Sequence, residues 1–280
     1  MTRILSTYLF IKRKLTPALL AEMPRYGVHA VELFCARGHF DYRSEDAVRE
    51  TAGALDGLNL ALHAVHAPTE RDFNARHESA APLSISDPER SRRLEAVDEI
   101  KRALDIAERI PFRYLVLHMG TSRDAADPHR FDAAFNSLEH LNIFAKQRGV
   151  TIALENTPGE LATPANLRQF IADTRLTDLR LCFDFGHAHL ADGVLPGIET
   201  VRELVVTAHI HDNHGLKDEH LLPFEGTIEW KAALAALPKD LPLVLELKER
   251  PEYADPAPLS VALEAARGAF DKLEREREEP

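Results

Sequence analysis

Eight short β-rich runs alternate with long helical patterns from one end of the chain to the other. They are RILSTYLF (3–10), AVELF (30–34), LALHAVHA (60–67), YLVLHMG (114–120), TIALENT (151–157), LRLCFDFGH (179–187), VVTAHIHDN (205–213) and LPLVLELKE (241–249). Strands separated by helix-length crossovers pair in parallel, and eight such units in 280 residues point to a closed (β/α)8 TIM barrel. The competing arrangement, an open doubly wound sheet, normally carries a glycine-rich phosphate loop after its first strand, and YLFIKRKLTP has none. The stretches between the runs have ordinary helix starts. SDPERSRRLEAVDEIKRALDIAERI (86–110) predicts a helix capped by Ser86 or Asp87 with Pro88 in its first turn, and TPANLRQFIADT (163–174) starts the same way at Thr163 and Pro164. The last helix, within PLSVALEAARGAFDKLERE (258–276), is expected to fray into a charged tail from about residue 270. With no Gly-, Pro- or Ser-rich linker, residues 1–280 are expected to form one domain.

Apolar residues make up 45% of the chain, enough for a full core, so disorder is expected only at the ends. A net charge of −11 argues against a generic nucleic-acid-coating protein, which needs clustered Lys and Arg. No stretch approaches the roughly 20 apolar residues of a membrane span. The N-terminal apolar run is broken by Ser6 and Thr7 and does not read as a signal peptide. Two cysteines, Cys35 and Cys182, are too few for a disulfide framework. The expectation is a cytoplasmic protein with no membrane partner.

Reacting groups of such barrels sit at the C-terminal ends of the strands. Strand alternation pairs Ala64 with His66, Val116 with His118, Ala153 with Glu155, Cys182 with Asp184, Thr207 with His209 and Val244 with Glu246 on one face. Six strands thus each deliver one His, Asp or Glu to the same end. Any one of them is explained as a cap or an ion-pair partner. Six together require more, because buried carboxylates repel one another unless a cation lies between them. The stretch AHIHDNHGLKDEH (208–220) adds Asp218 and His220 at ligand-like spacing, and His187 follows Asp184 by three residues. His211 and His214 read as loop or outer residues, and Asp212 as an acceptor that orients a ligand imidazole. His63 alternates away from His66, and His189 follows the ligand region without a matching partner. Trp230 reads as a packing residue.

HAP (66–68), LHMG (117–120), ENTPG (155–159), FDFGHAH (183–189), HIHDN (209–213), DEHLLPFEGTIEW (218–230) and LELKE (245–249) together resemble the xylose isomerase-like barrel superfamily, which includes sugar isomerases and epimerases and endonuclease IV. The resemblance covers nearly the whole chain in the family's order. It implies a core metal site of Glu155, Asp184, His209 and Glu246, with Glu155 and Glu246 also transferring protons on either side of the substrate and His187 contacting it. The endonuclease IV pattern implies further ligands, His66 and His118 with a bridging Glu155 at one metal and His187, Asp218 and His220 at another. One to three divalent ions per chain follow, Zn2+ or Mn2+ by ligand type.

Two activities are therefore expected as alternatives. The first is a metal-dependent isomerase or epimerase acting on a small-molecule sugar or sugar phosphate through a metal-stabilised enediolate. The second is an endonuclease IV-like phosphodiesterase acting on abasic DNA, the only reading with a nucleic-acid partner. Against it, APTERDFNARHESAAP (67–82) sets Glu70 and Asp72 where phosphates would lie and lacks a Tyr-Leu wedge, Phe73 being a partial stand-in. Dehydratases and lyases acting on sugar acids, inositols or keto-sugars share the same chemistry. Tyr8, Phe10, Arg37 and His39 are expected to contact substrate, with Phe34 and Arg43 near them. The family's members often pair or tetramerise, so a homo-oligomer is compatible with the sequence, although no apolar stripe marks an interface.

Overall fold

The computed structural model describes residues 1–71, 81–249 and 258–278. Its strands are β1 (Ile4–Ser6), β2 (Ala30–Phe34), β3 (Ala61–His66), β4 (Tyr114–His118), β5 (Thr151–Glu155), β6 (Arg180–Asp184), β7 (Val205–Ile210) and β8 (Leu243–Leu245). All pair in parallel in chain order, and β1 closes on β8 through Ile4↔Val244 and Leu5↔Leu245. The helices are α1 (Pro17–Glu22), α2 (Glu45–Leu58), α3 (Arg90–Asp105), α4 (Pro128–Lys146), α5 (Pro164–Thr174), α6 (Phe185–Leu190), α7 (Val194–Val201), α8 (Trp230–Ala235) and α9 (Leu259–Glu278). None among the described residues is long and apolar enough to cross a membrane.

Alternation splits the core in two. Outward residues such as Leu5, Val31, Leu33, Leu115, Leu117, Ile152, Leu154, Phe183 and Leu245 join the helices in one large apolar cluster. The barrel interior is separate. Ile4, Ala30 and Val244 form one packed group, and Ala64, Tyr114, Val116, Ala153 and Cys182 form another. One turn up the same inward face come the acids and imidazoles, which is how a barrel floor of small and apolar side chains supports a polar mouth.

Four local expectations change. The first β-run ends at Ser6, whose side chain accepts from Tyr8 N, and Thr7–Phe10 form a 3-10 turn. α3 begins at Arg90, because Ser86 is buried with its hydroxyl 2.9 Å from that of Ser84, and Asp87 accepts from Glu89 N at 2.8 Å. The sixth run stops at Asp184 and turns at once into α6. α9 does not fray at 270 but continues to Glu278. Leu273 is buried, Arg275 and Arg277 oppose the helix dipole in the last turn, and Arg277 donates to the carbonyls of Leu241 and Pro238.

His63 is the sharpest departure from strict alternation. A register shift pairs Val31 with Leu62 but Glu32 with Ala64, so β3 carries one extra residue. His63 reaches across the barrel, its Nε2 lying 3.0 Å from Thr207 Oγ1 on β7 and its ring edge-on to Tyr114.

Candidate metal centre

The nine residues read as ligands from the sequence converge at the barrel mouth. Glu155 ends β5, Asp184 ends β6, His209 lies on β7 and Glu246 follows β8. One ligand atom from each of these four lies within 4.8 Å of the others, and none of the four is more than 3% exposed. His209 Nδ1 sees Glu155 Oε1 at 3.3 Å, Glu246 Oε2 at 3.5 Å and Asp184 Oδ2 at 3.7 Å. Toward the β3–β4 side, His66 Nε2 and His118 Nε2 approach Glu155 Oε2 at 3.2 and 3.1 Å.

A second group gathers beside the first. His187, His211, Asp218 and His220 also bring one ligand atom each within 4.8 Å. Asp184 links the two groups. Its Oδ1 caps α6 by accepting from His187 N at 2.6 Å, and its Oδ2 lies 3.0 Å from His211 Nε2. The imidazole of His211 stacks on that of His220 with centroids 4.0 Å apart, and it lies flat against α6 only because residue 186 is glycine. A Cβ there would stand 2.0 Å from His211 Cε1.

Tautomers test whether these residues fit a metal ion. The Nδ1 atoms of His66, His187 and His220 donate to the carbonyls of Ala67 (2.8 Å), Asn156 (3.0 Å) and Glu246 (3.2 Å). A neutral imidazole so fixed turns its Nε2 lone pair inward, and for His66 and His220 that lone pair meets a carboxylate oxygen at 3.2 and 2.9 Å. Two acceptors at such distances need a proton or a metal ion between them. His209 repeats the pattern with a carboxylate as its outer anchor. Its Nε2 donates to Glu32 Oε2 at 3.1 Å, and its Nδ1, with no hydrogen-bond partner, faces the three acids. An imidazole held by a carboxylate behind and presented to acids in front is the usual arrangement of a metal-ligating histidine. The donor set fits a divalent cation.

Charge states of the protein alone agree. Burial lowers an imidazole, yet Cys182, followed by Glu32, Glu246 and Glu155, holds His209 well above its ordinary value. Burial raises a carboxyl, yet His209 and His118 hold Glu155 well below the usual range. Glu246 is the exception. Burial, followed by the like charges of Glu155 and Glu32, outweighs His209 and pushes it up to about 7.

Beyond the clusters opens a cavity of about 540 Å³ whose wall includes His118, Thr157, His187, Lys217 and Asp218. Tyr8 sits at the mouth, its ring 5.2 Å from that of His220 and 4.8 Å from that of Phe34. The other expected substrate contacts do not gather there. Phe10 is fully buried in the core between strands and helices. His39 is 1% exposed and donates from Nδ1 to the Arg13 carbonyl at 2.6 Å, which ties the first two loops together. Arg37 is exposed on the turn after β2 and, among the described residues, is not part of the cavity wall. Arg43 pairs with Glu99 at 2.6 Å. Asp72 and Phe73 lie outside the described residues.

Asp212 orients the loop and not an imidazole. Its oxygens accept from Asn213 N, Phe224 N, Ile228 N and Trp230 Nε1 (2.7 Å), so Trp230 packs and pins at once. Sequence reasoning missed Glu32 and placed His211 outside the ligand groups, although both share the inward parity of their strands.

A family model for the xylose isomerase-like TIM barrel matches residues 20–268. The chain belongs to the xylose isomerase-like TIM barrel family. Among its curated relatives, the uncharacterized protein y4fM of Sinorhizobium fredii is 29% identical over 198 residues, covering 64% of this chain and 62% of its own length. The uncharacterized protein MJ1311 of Methanocaldococcus jannaschii is 28% identical over 242 residues, covering 83% and 78%. The match thus spans less than two thirds of the first relative. Similar solved structures include a D-tagatose 3-epimerase-like protein (22% identity, 98% and 99% of the two chains, TM-score 0.77). The apo form of the 3-keto-D-glucoside 4-epimerase YcjR of E. coli has 19% identity, 98% and 99% coverage and a TM-score of 0.76. The IolI protein with a bound zinc atom has 18%, 98% and 98%, and 0.78. At these identities the likeness is one of fold.

Proposed function

We propose that the chain is a divalent-metal-dependent isomerase or epimerase acting on a sugar or sugar phosphate. The observation that carries this reading is the approach of two glutamates, Glu155 from β5 and Glu246 from β8, to the same nitrogen of His209. The epimerase neighbours support the substrate class. Glu155, Asp184, His209 and Glu246 would hold the ion, with Zn2+ or Mn2+ suited to the donors. A divalent ion there supplies Lewis-acid polarisation of a sugar carbonyl. One glutamate takes the proton from the neighbouring carbon, and the other returns a proton to the opposite face or to the adjacent carbon. His187, in the cavity wall, orients a hydroxyl. The fully buried floor keeps water from the carboxylates' inner side.

The test is a panel of ketoses and aldoses, free and phosphorylated, incubated with metal-loaded protein. Interconversion of at least one isomer pair is expected. A protein with its ion bound but inert on the whole panel would sink the reading, and substantial turnover by Glu246→Gln would sink the glutamate assignment.

A second reading, the endonuclease IV-like phosphodiesterase, is favoured by one observation. His66 and His118 both lie on Glu155 Oε2 while His187, Asp218 and His220 form a further group, so all nine expected positions converge. Glu70 in the cavity wall opposes it. Cleavage of an abasic duplex at three bound ions would favour this reading over the first. A dehydratase or lyase would show on the sugar panel as loss of water or of a carbon fragment.

A further inference from the structure

The second cluster differs from the first in having a cation of its own. Lys248 follows Glu246 by two residues, and its backbone N–H donates to His220 O at 3.4 Å, fastening its stem beside that cluster. Its ammonium lies 3.1 Å from the Asp218 carbonyl and 3.4 Å from Asp218 Oδ2. Asp218 is the only carboxylate of the His187–His211–Asp218–His220 group. Its Oδ2 is thus shared by His220 Nε2 at 2.9 Å and Lys248 Nζ. Its Oδ1 has no hydrogen-bond partner and faces His211 Nδ1, also unpartnered, at 3.9 Å. The donors for a metal ion are present, but the one carboxylate that belongs to this group is already opposed by an ammonium, and Asp184, whose Oδ2 lies 3.0 Å from His211 Nε2, is a ligand of the first cluster. The first cluster sets three carboxylates around one imidazole with no lysine or arginine among its described ion pairs.

We propose that Lys248 stands in for a second metal ion. Its ammonium balances Asp218, so that the barrel binds one divalent ion tightly, at Glu155–Asp184–His209–Glu246, and leaves His187, which lines the cavity, to hydrogen-bond substrate. A dication entering the second cluster would lie beside a like charge and would have to displace it. The inference rests on the metal-centre reading above and specifies the number of ions that reading leaves open.

The experiment is equilibrium dialysis of purified full-length protein against Zn2+, with bound metal measured by elemental analysis. The wild type and Lys248→Arg should each hold one ion. Lys248→Met, which keeps the stem of a half-exposed side chain, should hold two, with affinity at the second site raised about tenfold or more. Adding Asp218→Asn to Lys248→Met should return the count to one. Two or more tight ions in the wild type would overturn the proposal, as would a single ion in Lys248→Met. No tight ion in any of these proteins would overturn the metal-centre reading as well, which separates the two failures.

Discussion

The two ligand clusters at the barrel mouth are joined through Asp184, a member of the first that touches His187 and His211 of the second, yet they solve opposite problems of charge. The first sets three carboxylates around one imidazole where none of the four residues is more than 3% exposed, so their mutual repulsion is relieved only by a proton or a cation among them. The second sets three imidazoles around one carboxylate that a lysine already faces. Neighbouring sites built from the same residue types therefore differ in what they require. The acids of the first have no lysine or arginine among their described ion pairs, while the acid of the second is already faced by Lys248. Counting His, Asp and Glu does not reveal this difference, which lies in how many negative charges are left unopposed.

The largest expected effect comes from Glu155, whose two oxygens meet His66, His118, His187 and His209. Glu155→Gln should lower turnover about 10²–10⁴-fold through lost proton transfer alone and should weaken the bound ion. Steady-state rates alongside metal content check it. A variant that kept its ion and stayed within about tenfold of the wild-type rate would break the contrast between the clusters.

His39 sharpens the comparison from outside, as a buried imidazole that faces a carbonyl and no acid. Burial lowers it to about 4, against an ordinary value of 6.5. Between those values the unfolded chain takes up a proton that the folded chain refuses. Its contribution is therefore intact above pH 6.5 and lost as pH falls through 6.5 toward 4, about 3 kcal/mol in all. Urea unfolding of wild type and His39→Gln at pH 7 and pH 4.5 should show a smaller pH-dependent loss in the variant. Equal losses would mean that His39 accepts its proton in the folded state.

Glu32→Gln comes next. It keeps the shape of the anchor behind His209 but removes its charge, and should weaken metal binding about 10–100-fold in a chelator competition. Unchanged affinity would show that His209 needs no anchor. The smallest effect is expected at a cap remote from the ligands. Thr163 Oγ1 accepts from Asn166 N at 3.2 Å, so Thr163→Ala should cost about 1 kcal/mol of stability and leave the metal content alone.

The barrel and most of its ligands were legible because alternation is a strong constraint. Once Ala153 and Cys182 face inward, Glu155 and Asp184 must follow. Glu32 was equally exposed to that logic, sharing parity with Ala30 and Phe34, but a lone acid inside AVELF does not announce that a histidine 177 residues away will hold it. His211 shares the parity of His209 and was missed by being read as loop. Other features left no trace in the pattern. The extra residue in β3 that sends His63 inward depends on pairing with β2. The burial of Phe10 and His39 depends on the chain tightening into a 3-10 turn after Ser6.

Asp184 closes a strand, caps the next helix with one oxygen and faces the ligand space with the other. Residues 184–187 consequently behave as a fixed spacer, in which a single insertion would uncouple the helix from both groups of ligands. Anyone recasting this scaffold for a new reaction would graft into the longer connection after β7, where Leu216 is 90% exposed, and leave those four residues as they stand.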